Sequence, residues 1–269
     1  MVRRNFGGLS AGRARGGFTL VELLVVIIII AILAAIAVPA VMRATATAQN
    51  ARIKTEIDML HMAIQQYKND YGSYPPAVDV VGAGGPLHKH LQRLFPRINP
   101  NYLPSVRQVG LMKPDNAIVG WLLGYTDDPT NPAGLKPGGD SGDTSMTKKK
   151  LFDFDASRVS DGRYTPPSKP KSPYIYIPSS VYTAGSGSST TVPVFSFPDL
   201  NYRAPYAGYF AHRVPAASAP NDFALLGQPA FNADTFQILC AGRDEIFGTD
   251  DDLSNFWPGT RKDYLDNPK

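Results

Sequence analysis

The chain has one cysteine, Cys240, among 269 residues. An intramolecular disulfide is therefore impossible. A lone cysteine in an exported protein is either buried and inert or an intermolecular link. Cys240 closes the apolar stretch FQILC, and burial is expected. No G-x-x-x-x-G-K-[ST] stretch exists, so the chain is not a P-loop ATPase. Acidic residues are missing from positions 1–17, which hold Arg3, Arg4, Arg13 and Arg15. The remaining residues carry 23 basic and 23 acidic side chains, so the formal charge of +4 sits wholly in that leader. No basic cluster is interleaved with aromatics elsewhere, and direct nucleic-acid binding is not expected. A basic segment before an apolar run instead sets membrane orientation.

Helix is excluded from most of the middle. Of 24 prolines, 21 lie between Pro75 and Pro229. Loops, turns and short strands are expected there. KPGGDSGDTSMTKKK (136–150) and TAGSGSSTT (183–191) read as exposed flexible loops. AIVGWLLGY around Trp121 is a short apolar piece between prolines. SPYIYIP (172–178) alternates as a strand should, and FQILC (236–240) is the last clear strand.

Several reactive-looking patterns lack supporting context. GLSAG (8–12) fits the nucleophile-elbow pattern, but it lies in the basic leader with no strand before it. GDSG (139–142) sits in a Gly-rich loop without a histidine motif. His61, His88, His90 and His212 show no metal spacing, and His61 is expected at the surface of a helix. Asp153, Asp155 and Asp161 in DFDASRVSDG form a weak second cation loop at most. Nothing here points to an enzyme.

The apolar run is the first strong feature. Residues 15–39 read RGGFTLVELLVVIIIIAILAAIAVP. From Leu23 to Val38 there are 16 apolar residues without a charge. Residues 18–42 are long enough to cross a bilayer as a helix, which needs roughly 20 residues. Three readings compete. One is a secretory signal cut after the run, near Ala37, although its core is long for that. Another is a twin-arginine signal at Arg3-Arg4, a pair that lies far upstream of the core. The third is a permanent membrane helix whose leader is removed before the run. Glu22, at the head of the run, needs water or a partner. It either snorkels to the headgroups or pairs with another charge, and a helix N-terminus favours its sign.

A second helical signal follows. Ile53, Ile57, Leu60, Ile64, Tyr67 and Tyr71 recur at steps of four and three, forming one apolar stripe. Gly72 and the prolines of YGSYPP predict an end near Asn69–Gly72. Phe18 to Asp70 is 53 residues, about 80 Å at 1.5 Å per residue, long for one globular domain. Pro39 inside it should loosen the preceding turn.

Near the C-terminus, LCAGRDEIFGTDDDLSNFW (239–257) gathers Asp244, Asp250, Asp251 and Asp252 around a turn at Gly248. Such a cluster is either a solvated acidic turn or a hard-cation loop of oxygen ligands, as calcium takes. It is not an EF-hand.

GGFTLVELLVVIIIIAILAAIAVPAV resembles the N-terminal segment of type IV pilins and type II secretion pseudopilins, through Gly17, Phe18, Thr19, Glu22 and Pro39. The resemblance implies cleavage after Gly17 by a prepilin peptidase and methylation of Phe18. It implies that Glu22 pairs with the new N-terminus of a neighbouring subunit, and that the turn at Pro39 melts during assembly. The stretch 239–257 is similar to the closing loop of the major pseudopilin of type II secretion, where it binds calcium. That implies ligands from Asp244, Asp250 and Asp252, with Asp251, inward or outward, and Ala241 as further candidates. Arg243 and Glu245 stand where that family often has small residues, and Phe256 is inserted before Trp257.

The expected fold is α+β and pilin-like: a long N-terminal membrane-spanning helix packed on a small antiparallel sheet with long loops. Residues 1–17 form a cleaved leader, 18–42 the transmembrane and assembly helix, 43–72 its amphipathic continuation. Residues 73–269 form a periplasmic loop-rich β domain. The expected function is a structural subunit of a periplasmic pseudopilus driving type II secretion. It would be single-pass in the inner membrane, with a cytoplasmic N-terminus. Expected partners are further copies in a filament, minor pilin-like subunits, the prepilin peptidase, the inner-membrane assembly machinery and membrane lipid. The alternatives are a type IV pilus subunit for adhesion, motility or DNA uptake, and an exported binding protein or enzyme with a conventional signal peptide.

Overall fold

A computed structural model describes residues 17–77, 86–99, 113–132, 134, 147–167, 171–179, 231–232 and 234–267. The chain divides into two compact units, residues 1–47 and 48–269.

In the first unit, helix α1 (Leu20–Tyr71) begins. Every residue from Gly17 to Thr45 is exposed, including Leu20, Ile30 and Ile36. A helix apolar on all sides and covered by nothing of its own chain has the character of a membrane span. Among the described residues it is the one helix long and apolar enough to cross a membrane. Pro39 lies inside it without ending it.

In the second unit the same helix buries one face: Ile53, Glu56, Ile57, Leu60, Ala63, Ile64 and Tyr67. The expected stripe is therefore the buried one, with Tyr71 half-buried at its edge. The helix ends where expected. Gly72 takes a φ of +77° and its N–H reaches the Lys68 carbonyl at 2.7 Å, a left-handed cap that suits glycine.

That stripe shares one core with a three-stranded antiparallel sheet. Strand β5 (Ile175–Pro178) pairs with β6 (Phe236–Cys240), and β6 pairs with β7 (Leu253–Ser254). The register sets Ile175 opposite Leu239 and Pro178 opposite Phe236. On the other edge, Cys240 is opposite Leu253. Phe236, Ile238 and Cys240 join the helix core, as do Tyr174 and Tyr176. Every residue of β5 and β6 is buried, so the alternation in SPYIYIP marks two covered faces rather than a wet one. The strand β7 was not expected after FQILC. At two residues it is too short to carry a period.

Smaller elements flank this layer. Helix α2 (Pro86–Leu94) precedes α3 (Ala117–Leu122), the apolar piece around Trp121. Strands β1 (Tyr125–Thr126) and β2 (Lys148–Lys149) form one two-stranded sheet. So Lys148 and Lys149 are paired rather than loop, while residues 136–146 and 183–191 lie outside the described residues. Strands β3 (Val159–Ser160) and β4 (Arg163–Tyr164) form a hairpin. Its turn places Asp161 at φ +51° and Gly162 at +73°, the pair of left-handed residues a tight hairpin needs. A short C-terminal helix, α4 (Arg261–Asp266), is opened by a capping box from Thr260 and Asp263.

Candidate functional sites

The N-terminal site is built on the first turn of α1. Gly17 and Phe18 are both exposed, Phe18 at 84%. A Cβ placed on Gly17 would meet nothing within 4 Å. Among the described residues nothing crowds that position. Thr19 and Glu22 form a capping box: Thr19 N–H and hydroxyl donate to Glu22 Oε2 at 2.9 and 2.8 Å. The Glu22 N–H donates back to Thr19 Oγ1 at 3.2 Å. These are the free donors that every helix start must satisfy. Thr19 therefore has a local role that the T-x-x-E spacing makes legible. One carboxylate oxygen carries both bonds, which leaves the other to face outward.

The C-terminal site is the loop that joins β6 to β7. Asp244 Oδ1 accepts from Ile246 N–H at 2.8 Å, closing a local turn. Glu245, between them, sits at φ +61°, and Gly248 at +87°. Asp251 turns inward. Its carboxylate accepts from Asp244 N–H at 3.2 Å and from the Thr249 hydroxyl at 2.7 Å. It lies over Gly242, where a Cβ would come within 2.1 Å of Asp251 Cγ. Asp250 is exposed, with Oδ1 3.2 Å from Arg261 Nη1. Ala241 is buried, and its carbonyl accepts from the Cys240 thiol at 3.3 Å.

Asp252 is the member with unmet needs. It is 0% exposed. Oδ2 accepts from Gly248 N–H at 2.6 Å, but Oδ1 is buried without a partner. Burial pushes its carboxyl well above the ordinary range; Asp251 and Asp244 add to this, against the pull of the Gly248 and Gly242 N–H groups. A buried carboxylate with a bare oxygen is costly unless neutralised. The donor chemistry fits a hard cation. Among the described residues, no three His, Cys, Asp or Glu side chains converge as a metal-ready group. Asp244, Ile246, Thr249, Asp250 and Asp251 line a shallow opening over the loop.

Elsewhere the expected candidates resolve into structure. Asp155 caps a short 3-10 turn (Ala156–Arg158) through Ser157, Asp153 faces Lys150 at 3.6 Å, and Asp161 is in the hairpin turn. Cys240 is fully buried, and burial pushes its thiol up, reinforced by Asp252, Glu56 and Asp251. It is chemically quiet. The GLSAG and GDSG stretches lie outside the described residues.

Glu56 escaped the sequence reading, although a glutamate inside an apolar stripe is a visible signal. Its carboxylate accepts from Arg158 Nη1 at 2.9 Å, from Arg158 Nη2, from Tyr164 at 2.8 Å and from Tyr174 at 2.6 Å. Burial pushes its carboxyl up, but those bonds outweigh it and hold it below the ordinary value. Lys54 and His61 were also missed as docking residues. Lys54 Nζ donates to the Ser254 carbonyl at 2.8 Å, and His61 meets Asn255. Both tie α1 to the segment after the acidic loop.

Compared with known proteins, residues 12–38 match the prokaryotic N-terminal methylation motif. No curated protein and no solved structure matches the chain. The motif spans 27 of 269 residues and supports a pilin-type structural subunit, a class processed by a prepilin peptidase and assembled into filaments. A long apolar N-terminal helix with small antiparallel sheets is α+β and consistent with a pilin-like fold. The exposed apolar segment is consistent with a membrane-anchored pilin.

Proposed function

We propose that the protein is a pseudopilin of type II secretion, cut after Gly17, methylated on Phe18 and assembled into a periplasmic pseudopilus. The observation that carries the pilin part is the methylation motif on a helix whose first 26 residues, Leu20 to Thr45, are all exposed. Cleavage would create an α-ammonium on Phe18, four residues before Glu22. The capping box occupies Oε2 of Glu22, and Oε1 is the oxygen left for a neighbouring subunit's ammonium. A charge within hydrocarbon costs about 2.5–3.5 kcal/mol at the centre and less near the edge, so pairing would favour ordered assembly. The basic leader supports a cytoplasmic N-terminus and a periplasmic C-terminal domain. Partners would be further copies, minor pilin-like subunits, the inner-membrane assembly machinery and lipid.

The choice of secretion over a surface pilus rests on the C-terminal loop. Calcium would be held by Asp252, Asp251 and Asp244, with the Ala241 carbonyl and Asp250 as further oxygens; Asp250 would have to leave Arg261. When bound, the ion would supply the positive charge that the buried Asp252 lacks. The bare Oδ1 of Asp252 supports this.

Three experiments test the proposal separately. Glu22→Ala should leave leader cleavage and membrane insertion intact and abolish filament formation; normal filaments would contradict the pairing. Scanning calorimetry of the full chain in detergent should show a higher melting temperature with Ca²⁺ than with chelator. An unchanged melting temperature would remove the calcium reading and with it the preference for secretion. Loss of secretion on deleting the gene, with surface pili unaffected, separates the pseudopilus from a type IV pilus.

A further inference from the structure

Residues 253–257, strand β7 and the turn after it, are held to α1 by two different ties. One is Lys54 Nζ on the Ser254 carbonyl at 2.8 Å. The other is His61, half-buried on α1, whose Nδ1 lies 3.0 Å from Asn255 Nδ2. Its ring also packs on Phe236, centroid to centroid at 4.8 Å.

The direction of the second bond is fixed by the surroundings of Asn255. Its Oδ1 accepts from the Ile238 backbone N–H at 2.8 Å, and its Nδ2 also donates to the Phe236 carbonyl at 3.3 Å. A backbone N–H can only donate, so the amide cannot turn over. Nδ2 therefore presents N–H to His61, and His61 must answer with a lone pair on Nδ1. On the other side of the ring, Gln65 Nε2 is 3.5 Å from His61 Nε2, while Gln65 Oε1 accepts from the Tyr74 hydroxyl at 3.2 Å. Nε2 carries a proton in the neutral and the charged ring alike, so the difference lies at Nδ1: there an imidazolium would set N–H against the Asn255 N–H where the neutral ring accepts.

We propose that His61 is a pH-sensitive latch: its neutral ring holds residues 253–257 to helix α1, and its protonation releases them. The charged groups around it are on its own helix. Asp58 attracts the proton and Lys54 repels it, and the two pair with each other at 3.1 Å. From β6 and the loop it meets only the Phe236 ring and the Asn255 amide among the described contacts. Burial dominates and shifts His61 below the ordinary imidazole value. A folded value below the unfolded one means that the stabilisation is complete above the ordinary histidine range and is lost as pH falls through the folded value. The Lys54–Ser254 bond is a separate tie, so release at His61 loosens the segment without detaching it. The inference does not depend on the filament or calcium readings.

Hydrogen exchange of the full chain in detergent, followed by mass spectrometry on the peptide containing 253–257, tests it. After correction for intrinsic rates, exchange there should rise about tenfold as pH falls from about 7.5 to 5, the scale expected from turning a hydrogen bond into opposed donors. His61→Gln, which cannot titrate, should abolish that rise. Asn255→Asp keeps the oxygen for Ile238 but offers a carboxylate to the ring, and should reverse the sign. Exchange that is flat with pH in the native chain, or equally pH-dependent in His61→Gln, would overturn the latch. So would an Asn255→Asp chain that still loosens in acid.

Discussion

Glu56 and Asp252 are both carboxylates inside the domain of residues 48–269, and they are provided for in opposite ways. Glu56 receives four hydrogen bonds, two of them from a guanidinium. Asp252 is held by the Gly248 N–H, with the Gly242 N–H also drawing on it, and keeps a bare oxygen. Asp115 is intermediate, with Arg163 at 2.7 Å and one unpartnered oxygen. The difference teaches what each group is for. Glu56 is complete within the chain and pins the β3–β4 hairpin and Tyr174 to α1. Among the described residues Asp252 is left incomplete, at a loop crowded with other carboxylates.

The same change of carboxylate to amide should therefore have opposite signs at the two places. Glu56→Gln leaves Arg158 without its counter-charge and should lower stability by about 3 kcal/mol, read as a fall in the denaturation midpoint. Gly242→Ala comes next. Its methyl would displace Asp251, for a cost of about 1–3 kcal/mol, and the Ca²⁺ response should go with it. Asp252→Asn removes a buried charge and should raise the stability of the metal-free protein at pH 8 by about 1–2 kcal/mol, while abolishing any Ca²⁺ effect. A destabilised Asp252→Asn would mean the carboxylate is already satisfied.

The pH profile sharpens the same contrast. Glu56 is shifted down, so its contribution is present above the ordinary carboxylate range and lost on acidification. Asp252 is shifted up, so without a cation its burial costs stability as pH rises. Glu56→Gln should flatten the acid limb of the profile, and Asp252→Asn or added Ca²⁺ the alkaline limb. The smallest effect concerns the loop backbone. Glu245→Gly relieves a left-handed residue and should stabilise by about 0.5–1 kcal/mol.

How much of this could be read from the residues depends on whether the signal is periodic. The α1 stripe from Ile53 to Tyr71 and its stop at Gly72 were legible, because spacing and a breaker suffice to define them. Strand β5 was legible from the alternation in SPYIYIP, and β6 as the apolar run FQILC. Strand β7 was not, because two residues after a loop carry no pattern. Glu56 was visible as an interruption of the stripe, but its partners come from Arg158, Tyr164 and Tyr174, far along the chain. The acidic loop was recognisable by composition, yet the inward turn of Asp251 depends on the space that Gly242 leaves. The Asn255–His61 bond is set by Ile238, and no local pattern announces it. At the N-terminus the balance is reversed. Gly17 and Phe18 touch little within the fold, and their meaning is carried almost entirely by the motif.

Processing at Gly17 is tested most directly by the intact mass and N-terminal fragment spectrum of the protein extracted from membranes. A mature chain beginning at N-methylated Phe18 is the predicted result. A chain that begins near Val38, or one that keeps residues 1–17, would contradict the pilin-type assignment.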